Sequence, residues 1–352
     1  MIAGSGDALV ARVAWWMSVV MLVLIAILVM WILNLRGRNA AVQQRHDGLR
    51  ETWRTLLARA IDDVPVELPA VSAEDAGAFL LLWTHLQESV RAEAKNRLNE
   101  VARRVGMDAM ARRLAHEGDV RERLIGLTAL GHLRDESMWD DLLALSLDRD
   151  PAISMAAAKA LFRIDAPRAA HMLVPMMLTR DDWPRALVAS MLEEAGADVI
   201  SKPLADAVAA AAPDRAPRII RFLELAHSEV AVPVVRRMIQ KSDHPDVVAS
   251  CLRVFAAPAD LDVVRGLLDD PRLPVRLNAA ITLGRLGTED DRALLTRTLA
   301  DADWWVRYRS AHALAQLPSV AARDLHELAL AHPDPFARDM LAQVIAEREI
   351  AW

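Results

Sequence analysis

The sequence is poor in cysteine, glycine and aromatic residues, and each shortage excludes a class of protein. Among 352 residues Cys251 is the single cysteine, which excludes an intramolecular disulfide and a cysteine-rich metal site and fits a reducing compartment. Glycine contributes 13 residues and aromatic side chains 5 %, whereas hydrophobic residues make up 53 %. Alanine, leucine and valine therefore carry the apolar content, which favours helices over strands.

Signals for catalysis and for nucleic-acid binding are also scarce. The net charge of −6 argues against a general nucleic-acid binder, and segment 91–123 has only nine basic against six acidic residues. The chain has no glycine-rich phosphate loop followed by a helix and no HExxH motif. We therefore expect no catalytic residue, no cofactor, no metal ion and no nucleic-acid partner.

The longest uncharged stretch lies near the amino terminus. Residues 13–33, VAWWMSVVMLVLIAILVMWIL, are 21 residues without a charge, and a helix of this length rises about 30 Å, the thickness of a bilayer core. Trp15, Trp16 and Trp31 lie near its ends, where aromatic belts form. A cleaved signal peptide has a shorter apolar region of about 7–15 residues. The preferred interpretation is therefore a retained transmembrane helix.

Arginine is distributed unequally about this stretch. Arg12 precedes it, and six arginines follow between positions 36 and 59. The positive-inside rule predicts an extracytoplasmic amino terminus and a cytoplasmic remainder, attached to the inner membrane by a single pass. The predicted segments are a short extracytoplasmic terminus (1–12), the transmembrane helix (13–33), a basic juxtamembrane amphipathic helix (34–61), an acidic linker (62–75) and a helical repeat domain (76–352).

The rest of the chain repeats at intervals of 28 to 33 residues. We mark each repeat by one position, which is arginine in seven of nine cases. The marks are Arg91, Arg123, Ser154, Arg185, Arg218, Val248, Arg276, Arg307 and Arg338. The residue seven positions later is apolar in all nine, and aspartate stands four positions earlier in six, where it suits a helix N-cap. Each repeat is interpreted as a helix pair that buries its apolar face by stacking, so the pattern predicts an α-solenoid.

Three segments resemble the second helices of HEAT and HEAT-like repeats: DADWWVRYRSAHALAQL, DDPRLPVRLNAAITLGRL and VRERLIGLTALGHL. The resemblance covers roughly residues 74–349 and implies an all-α fold, a right-handed α-solenoid of about nine HEAT-like helix pairs, preceded by the transmembrane helix. It also implies a ladder of side chains between adjacent repeats, formed by Arg123, Arg185, Arg276, Arg307, Arg338, Asp119, Asp150, Asp303 and Asp334. Tetratricopeptide repeats, with a period of about 34, are the alternative, but their signature is absent.

Two groups of residues are candidates for binding a partner protein. Positions five and nine residues after the marks are one helical turn apart and would line a concave face. With Arg309, their basic members are Lys159, Arg163, Arg253, Arg285 and His312. The alternative is a solvated inner face.

The second group is the segment WWVRYR, residues 304–309, which contains two of the ten tryptophans and the only tyrosine. Trp304, Trp305, Tyr308 and Arg309 are residue types that dominate protein–protein hot spots. We expect one tryptophan to pack on the neighbouring repeat and the other, with Tyr308, to be partly exposed. Packing alone is the alternative.

The sequence predicts a non-catalytic scaffold at the inner membrane. Similarity to bacterial membrane-anchored HEAT proteins found alongside polysaccharide-type glycosyltransferases implies an integral or peripheral inner-membrane protein as partner. The alternative is a HEAT-like enzyme, of hydroxylase or lyase type, that uses the concave groove. HEAT-like di-iron hydroxylases use His-Glu dipeptides at equivalent repeat positions, but His116-Glu117 and His326-Glu327 stand 7 and 12 residues before their marks. We expect these dipeptides not to converge.

Overall fold

The computed structural model describes residues 15–17, 21, 28, 30–31, 48–65 and 67–350. The regular secondary structure of these residues is entirely helical, so the predicted all-α class is confirmed. The chain divides into two compact units, Met1–Leu133 and Arg134–Trp352. The handedness of the solenoid and the count of about nine helix pairs stay predictions.

The predicted transmembrane span, residues 13–33, lies largely outside the described residues. Those of its residues that are described are helical and exposed. Within the described part of the chain, no helix combines the length and the apolar character needed to cross a bilayer. The span and the membrane anchoring therefore stay predictions.

The first unit is a set of helices with tryptophan and leucine at its core. Its described helices are α1 (residues 48–60), α2 (Ala76–Ser89), α3 (Ala92–Arg104), α4 (Met107–Glu117) and α5 (Val120–Leu133). Trp83 is fully buried on α2, and its indole N–H donates to the Leu98 carbonyl of α3 at 2.9 Å. This bond satisfies the polar atom of a large apolar side chain inside the core.

Helix α1 belongs to the first unit, which differs from the expectation of a separate juxtamembrane helix. Trp53 and Leu57 are buried, and the Trp53 ring meets the Phe79 ring edge to face at 4.7 Å between centroids. Arg97 Nε donates to the Ile61 carbonyl at 2.8 Å. An amphipathic pattern predicts that one face of a helix is buried but not which element it packs against. Here that face packs against α2. The acidic segment 62–75 has neither helix nor strand in its described residues.

The second unit is built from successive helix pairs. Its helices are α6 (Trp139–Leu145), α7 (Pro151–Ile164), α8 (Ala166–Met176), α9 (Arg185–Ala195), α10 (Ala197–Ala210), α11 (Ala216–Ile220), α12 (Ser228–Lys241), α13 (Pro245–Val254), α14 (Leu261–Gly266), α15 (Leu273–Leu286), α16 (Arg292–Thr298), α17 (Trp304–Gln316), α18 (Ala322–Ala331) and α19 (Pro335–Ile350). Helices α13, α15, α17 and α19 pack side by side in one layer, and α8, α10 and α12 pack in a second. This two-layer order within the unit is the packing expected of a solenoid.

The repeat register fixes the core and the helix starts of the second unit. Asp150, Asp303 and Asp334 accept backbone N–H bonds from the second residue of α7, α17 and α19 at 2.7 to 2.8 Å, as expected of N-caps. Leu283 and Leu314, seven residues after their marks, are buried. Gly284 of α15 follows, and a Cβ there would lie 2.7 Å from Ala313 Cα, so glycine permits the close approach of α17.

Candidate partner-binding site

Arginines at the marks hold the loop that precedes their own helix. Arg276 Nη1 donates to the Asp270 carbonyl at 2.9 Å, and Arg307 Nη1 donates to the Asp301 carbonyl at 2.7 Å. Arg338 makes the same bond to the carbonyl six residues before it, at 2.9 Å. Each arginine is the fourth residue of its helix, which places the guanidinium against the loop. A charged donor thus pairs with loop carbonyls between helices.

One ion pair of the implied ladder joins neighbouring repeats. Arg276 Nε and Nη2 contact Asp301 Oδ2 and Oδ1 at 2.8 and 3.1 Å, and both side chains are mostly buried. The partner is not the capping residue Asp303, whose carboxylate accepts from α17, but the aspartate two positions earlier. The residue that corresponds to Asp301 in the next repeat is His332, and Arg307 Nε is buried without a hydrogen-bond partner. The loop before the helix, not the cap, supplies the acid.

Two repeats without arginine at the mark receive one from the following repeat. Arg180 Nη1 donates to the carbonyl six residues before Ser154 at 3.0 Å. Arg272 Nη1 donates to the carbonyl five residues before Val248 at 2.9 Å. In each of these two repeats, an arginine of the following repeat therefore donates to the loop, because the residue at the mark is not an arginine.

A third loop is also held by an arginine of the following repeat, which corrects the role predicted for Arg185. Arg218 Nη2 donates to the Arg180 carbonyl, five residues before Arg185, at 2.8 Å, and Arg218 also pairs with Asp181. Arg185 is exposed because α9 begins at this residue, with Pro184 at the cap, instead of three residues earlier. Arg185 is therefore the first residue of its helix and not the fourth, and Arg218 makes the ladder bond to this loop.

In the first unit, the predicted ladder pair has a local role. Asp119 Oδ1 accepts from the Glu122 N–H at 2.8 Å, and Glu122 Oε2 accepts from the Asp119 N–H at 3.0 Å. Arg123 Nε donates to the Ala115 carbonyl at 3.1 Å, near the end of α4. These bonds cap the start of α5 and stabilise the end of the helix before it.

The basic residues predicted to line the concave face form ion pairs or hydrogen bonds with neighbouring groups. Lys159 Nζ lies 3.6 Å from Glu194 Oε2, and Arg163 Nε lies 3.0 Å from Glu194 Oε1. Burial alone would raise the pKa of Glu194, but the bond from Arg163 and the charges of Arg163 and Lys159 hold it below its usual value. This patch is an ion-paired surface in which two basic side chains share one carboxylate.

Arg285 and Arg253, also predicted to line the concave face, have different surroundings. Arg285 Nη2 donates to the Phe255 and Arg253 carbonyls at 2.6 and 3.1 Å, at the carboxyl end of α13. A cation at that end is stabilised by the helix dipole, so Arg285 has a structural role. Arg253 Nη2 donates to Ser250 Oγ at 2.7 Å, and its guanidinium lines a cleft.

The other candidates form one group on α17, in which the tryptophans and Arg309 are exposed and Tyr308 and His312 are half-buried. We define the aromatic cluster as Trp304, Trp305, Tyr308 and His312. Trp304 stacks on Tyr308 with 5.1 Å between ring centroids, Trp305 meets Trp304 edge to face at 4.7 Å, and His312 meets Tyr308 at 4.5 Å. The guanidinium of Arg309 lies 5.7 Å from the Tyr308 ring centroid.

Both tryptophans of the aromatic cluster are exposed, which corrects the expectation that one packs on the neighbouring repeat. Trp304 is 40 % and Trp305 is 54 % exposed. Trp183 occupies the same register position as Trp305, two residues before its mark, yet it is 4 % exposed. It precedes α9, so its ring turns inward, and its indole N–H donates to Ser154 Oγ at 3.0 Å. The tryptophans of α17 pack on each other and on Tyr308 instead.

Glu347 of α19 fixes the far end of the aromatic cluster. Tyr308 Oη donates to Glu347 Oε2 at 2.9 Å, and His312 Nε2 lies 3.1 Å from the same oxygen. The bond from Gln343, followed by those from Tyr308 and His312, holds the pKa of Glu347 below its usual value. These contacts restrain the rings on the surface of α17.

Sequence reasoning missed Phe336, which extends the exposed aromatic surface to the next repeat. Phe336 is 63 % exposed and stands two residues before its mark, as Trp305 does. The Arg307 guanidinium lies 5.4 Å from the Phe336 ring centroid. Aromatic residues at one register position in two consecutive repeats were the available signal.

Two further observations concern groups that could carry chemistry. Cys251 is buried, and burial raises the pKa of its thiol to about 12, which disfavours the reactive thiolate. Among the described residues, no three histidine, cysteine, aspartate or glutamate side chains form a group able to hold a metal ion.

Comparison with known proteins gives one family. A family model described as HEAT repeats matches residues 107–193, 238–315 and 261–346, which is more than half of the chain. No curated protein matches the chain.

Proposed function

Because the chain belongs to the HEAT-repeat family, we propose that it is a membrane-anchored scaffold whose aromatic cluster binds a partner protein. Repeats of this kind offer extended surfaces on which another protein can lie. The proposal is non-catalytic, and it assigns no substrate, cofactor or metal to the chain.

The observation that carries this proposal is the exposure of the aromatic cluster. Two tryptophans that could have been buried are 40 % and 54 % exposed on one helix turn. Their stacking on Tyr308 and the bond from Tyr308 to Glu347 hold the rings in place before any partner arrives. Side chains that are already ordered lose less entropy on binding, so such a group is suited to be a hot spot.

The proposed partner is an inner-membrane protein, because the predicted span at residues 13–33 would hold the repeats close to the bilayer. The arginine excess after the span supports a cytoplasmic position for the repeats. An integral protein of a polysaccharide-type glycosyltransferase system is the partner class that the sequence resemblance favours.

Site-specific photocrosslinking in native membranes tests the proposal. A benzophenone amino acid replaces Trp305 in the full chain and, in a matched control, replaces Leu147, which is also exposed and apolar in the second unit. We expect one discrete adduct from position 305 and a much lower yield from position 147. Mass spectrometry identifies the adduct, and alkaline extraction distinguishes an integral from a peripheral partner.

A second change connects the adduct to the aromatic cluster. Arg309→Ser removes an exposed cation beside Tyr308 and should leave the melting temperature unchanged, while the adduct yield should fall at least several-fold. Equal adduct yields from positions 305 and 147 would contradict a partner-binding role. A metal or chromophore that co-purifies stoichiometrically would favour the enzyme alternative.

A further inference from the structure

A cleft of about 510 Å³ opens in the second unit between α9, α13 and the segment Arg221–Leu225, which follows α11. Phe222, Leu225 and Val254 give it an apolar side, and three guanidinium groups, from Arg185, Arg221 and Arg253, give it a cationic side. Volumes of about 300–1,000 Å³ with few polar groups are typical of small-ligand sites. The cleft lies outside the aromatic cluster and does not depend on its role.

The three guanidinium groups are left without carboxylate partners. Arg221 Nε is buried with no hydrogen-bond partner, and Arg253 contacts only the neutral hydroxyl of Ser250. Arg185 is exposed, and Arg218 holds the loop that precedes it. Elsewhere in this unit, Arg265 and Arg276 pair with aspartates, and Arg285 and Arg338 donate to backbone carbonyls.

The charges of the cleft repel one another. Burial lowers the pKa of Arg221, and repulsion by Arg185 and Arg253 lowers it further, whereas the attraction of Glu224 is weaker. Glu193 and Glu224 also line the cleft, but both are exposed and neither forms an ion pair with these arginines in the described part of the chain. An anion placed among the three guanidinium groups would offset the repulsion and accept hydrogen bonds from them.

We propose that this cleft binds a single phosphoryl group attached to a small organic body. A phosphate monoester carries a charge of about −2 and three terminal acceptor oxygens, which match three guanidinium groups better than the two oxygens of a carboxylate. The apolar side accommodates the organic part. Because the two glutamates offset two of the three positive charges, the cleft favours one phosphoryl group over the many phosphates of a nucleic acid. The phosphoryl group belongs either to a free phosphate ester or to a phosphorylated side chain of a protein.

Calorimetric titration of the full chain in detergent tests this site. The probes are phenyl phosphate, benzoate, inorganic phosphate and a short phosphoserine peptide with its unphosphorylated form. We expect saturable binding of phenyl phosphate that is about ten-fold weaker in Arg185→Gln, since one charge-assisted pair is lost. Arg323→Gln removes an equally positive, highly exposed side chain outside the cleft and should change nothing.

The titrations distinguish the two sources of the phosphoryl group and can also overturn the proposal. Tighter binding of the phosphoserine peptide than of phenyl phosphate, with no binding of its unphosphorylated form, assigns a phosphoprotein ligand, and the reverse order assigns a free ester. Glu193→Gln should tighten phosphate binding, because it removes a repelling charge from the cleft. Benzoate that binds as well as phenyl phosphate, equal losses in Arg185→Gln and Arg323→Gln, or no saturable binding of any probe would overturn the proposal. Arg185 is exposed, so its replacement tests binding without disturbing the fold.

Discussion

Asp291 is a fully buried carboxylate that the fold keeps charged. It accepts from Arg265 Nε at 2.6 Å and from the Thr288 N–H at 2.8 Å, and it joins the start of α16 to α14. Burial alone would raise the pKa of Asp291, but the bonds from Arg265 and Thr288 outweigh burial and hold it below its usual value. The charged form is therefore favoured more in the folded than in the unfolded chain.

This difference predicts how stability depends on pH. A lowered folded-state pKa gives a contribution that is present above the unfolded value, about 3.9, and is lost as pH falls through the folded value. Asp291→Asn should lower the free energy of unfolding at pH 7 by about 2–3 kcal/mol, because it breaks charge-assisted bonds in the interior. It should also flatten the loss of stability on acidification. Urea titrations from pH 7 to pH 3 measure both.

Asp290→Asn is the matched control, since Asp290 is the neighbouring residue and is exposed. It should leave stability within about 0.5 kcal/mol of wild type over the same pH range. A steep acid dependence that persists in Asp291→Asn would show that other carboxylates cause it.

At the scale of helices, the start of α9 decides which arginine holds the loop before it. Arg218, from the next repeat, donates to the Arg180 carbonyl and pairs with Asp181, whereas Arg185 extends into the cleft. Arg218→Met should therefore lower the free energy of unfolding by about 1–2 kcal/mol, because it leaves a loop carbonyl without its charged donor. It also removes one of the two arginines that pair with Asp181, the other being Arg215. Arg185→Met should change it by less than about 0.5 kcal/mol.

Thermal melts of the two variants, made in the same background, give the comparison. The repeat alignment alone predicts the opposite order, since it includes Arg185 in the ladder and leaves Arg218 out. An Arg185→Met variant that melts lower than Arg218→Met would favour the alignment over the geometry.

These helices also show what the sequence could and could not predict. Aspartate before proline or tryptophan predicted the caps of α7, α17 and α19, because capping is a local interaction within three residues. The donated arginines were missed because a repeat alignment assumes that one role stays at one register position. Arg180 and Arg272 stand five and four residues before the next mark, and Arg218 stands at a mark itself. An arginine of one repeat can thus bind the loop of the preceding repeat, and a periodic alignment does not reveal this.

The aromatic cluster was predicted by composition and the cleft was not. Trp304, Trp305 and Tyr308 are conspicuous in a chain with 5 % aromatic residues, although their mutual stacking required the structure. Arg185, Arg221 and Arg253 are ordinary residues in a sequence with 42 lysines and arginines. Arg185 begins α9, Arg221 follows α11 and Arg253 lies in the last turn of α13, so their convergence depends on how these helices pack, which no local pattern records.

At the scale of the whole molecule, α1 separates the predicted anchor from the repeats and is itself part of the first unit. Trp53 and Leu57 are buried with Phe79, so a chain that starts at residue 34 keeps this packing and one that starts at residue 62 loses it. Loss of two large buried side chains of this kind costs several kcal/mol, about 3–5 for a tryptophan alone. Truncations that test the anchor must therefore retain α1.

The arginine distribution predicts the orientation of the whole chain. Arg12 precedes the span at residues 13–33 and six arginines follow it, so the repeats should lie in the cytoplasm. A fluorescent protein that matures only in the cytoplasm, fused after Trp352, should be bright, and alkaline phosphatase at the same place should be inactive. The full chain should resist alkaline extraction from membranes, whereas a chain starting at residue 34 should be released with unchanged helix content. Active phosphatase would reverse the orientation and remove cytoplasmic partners, and release of the full chain by alkali would remove the anchor itself.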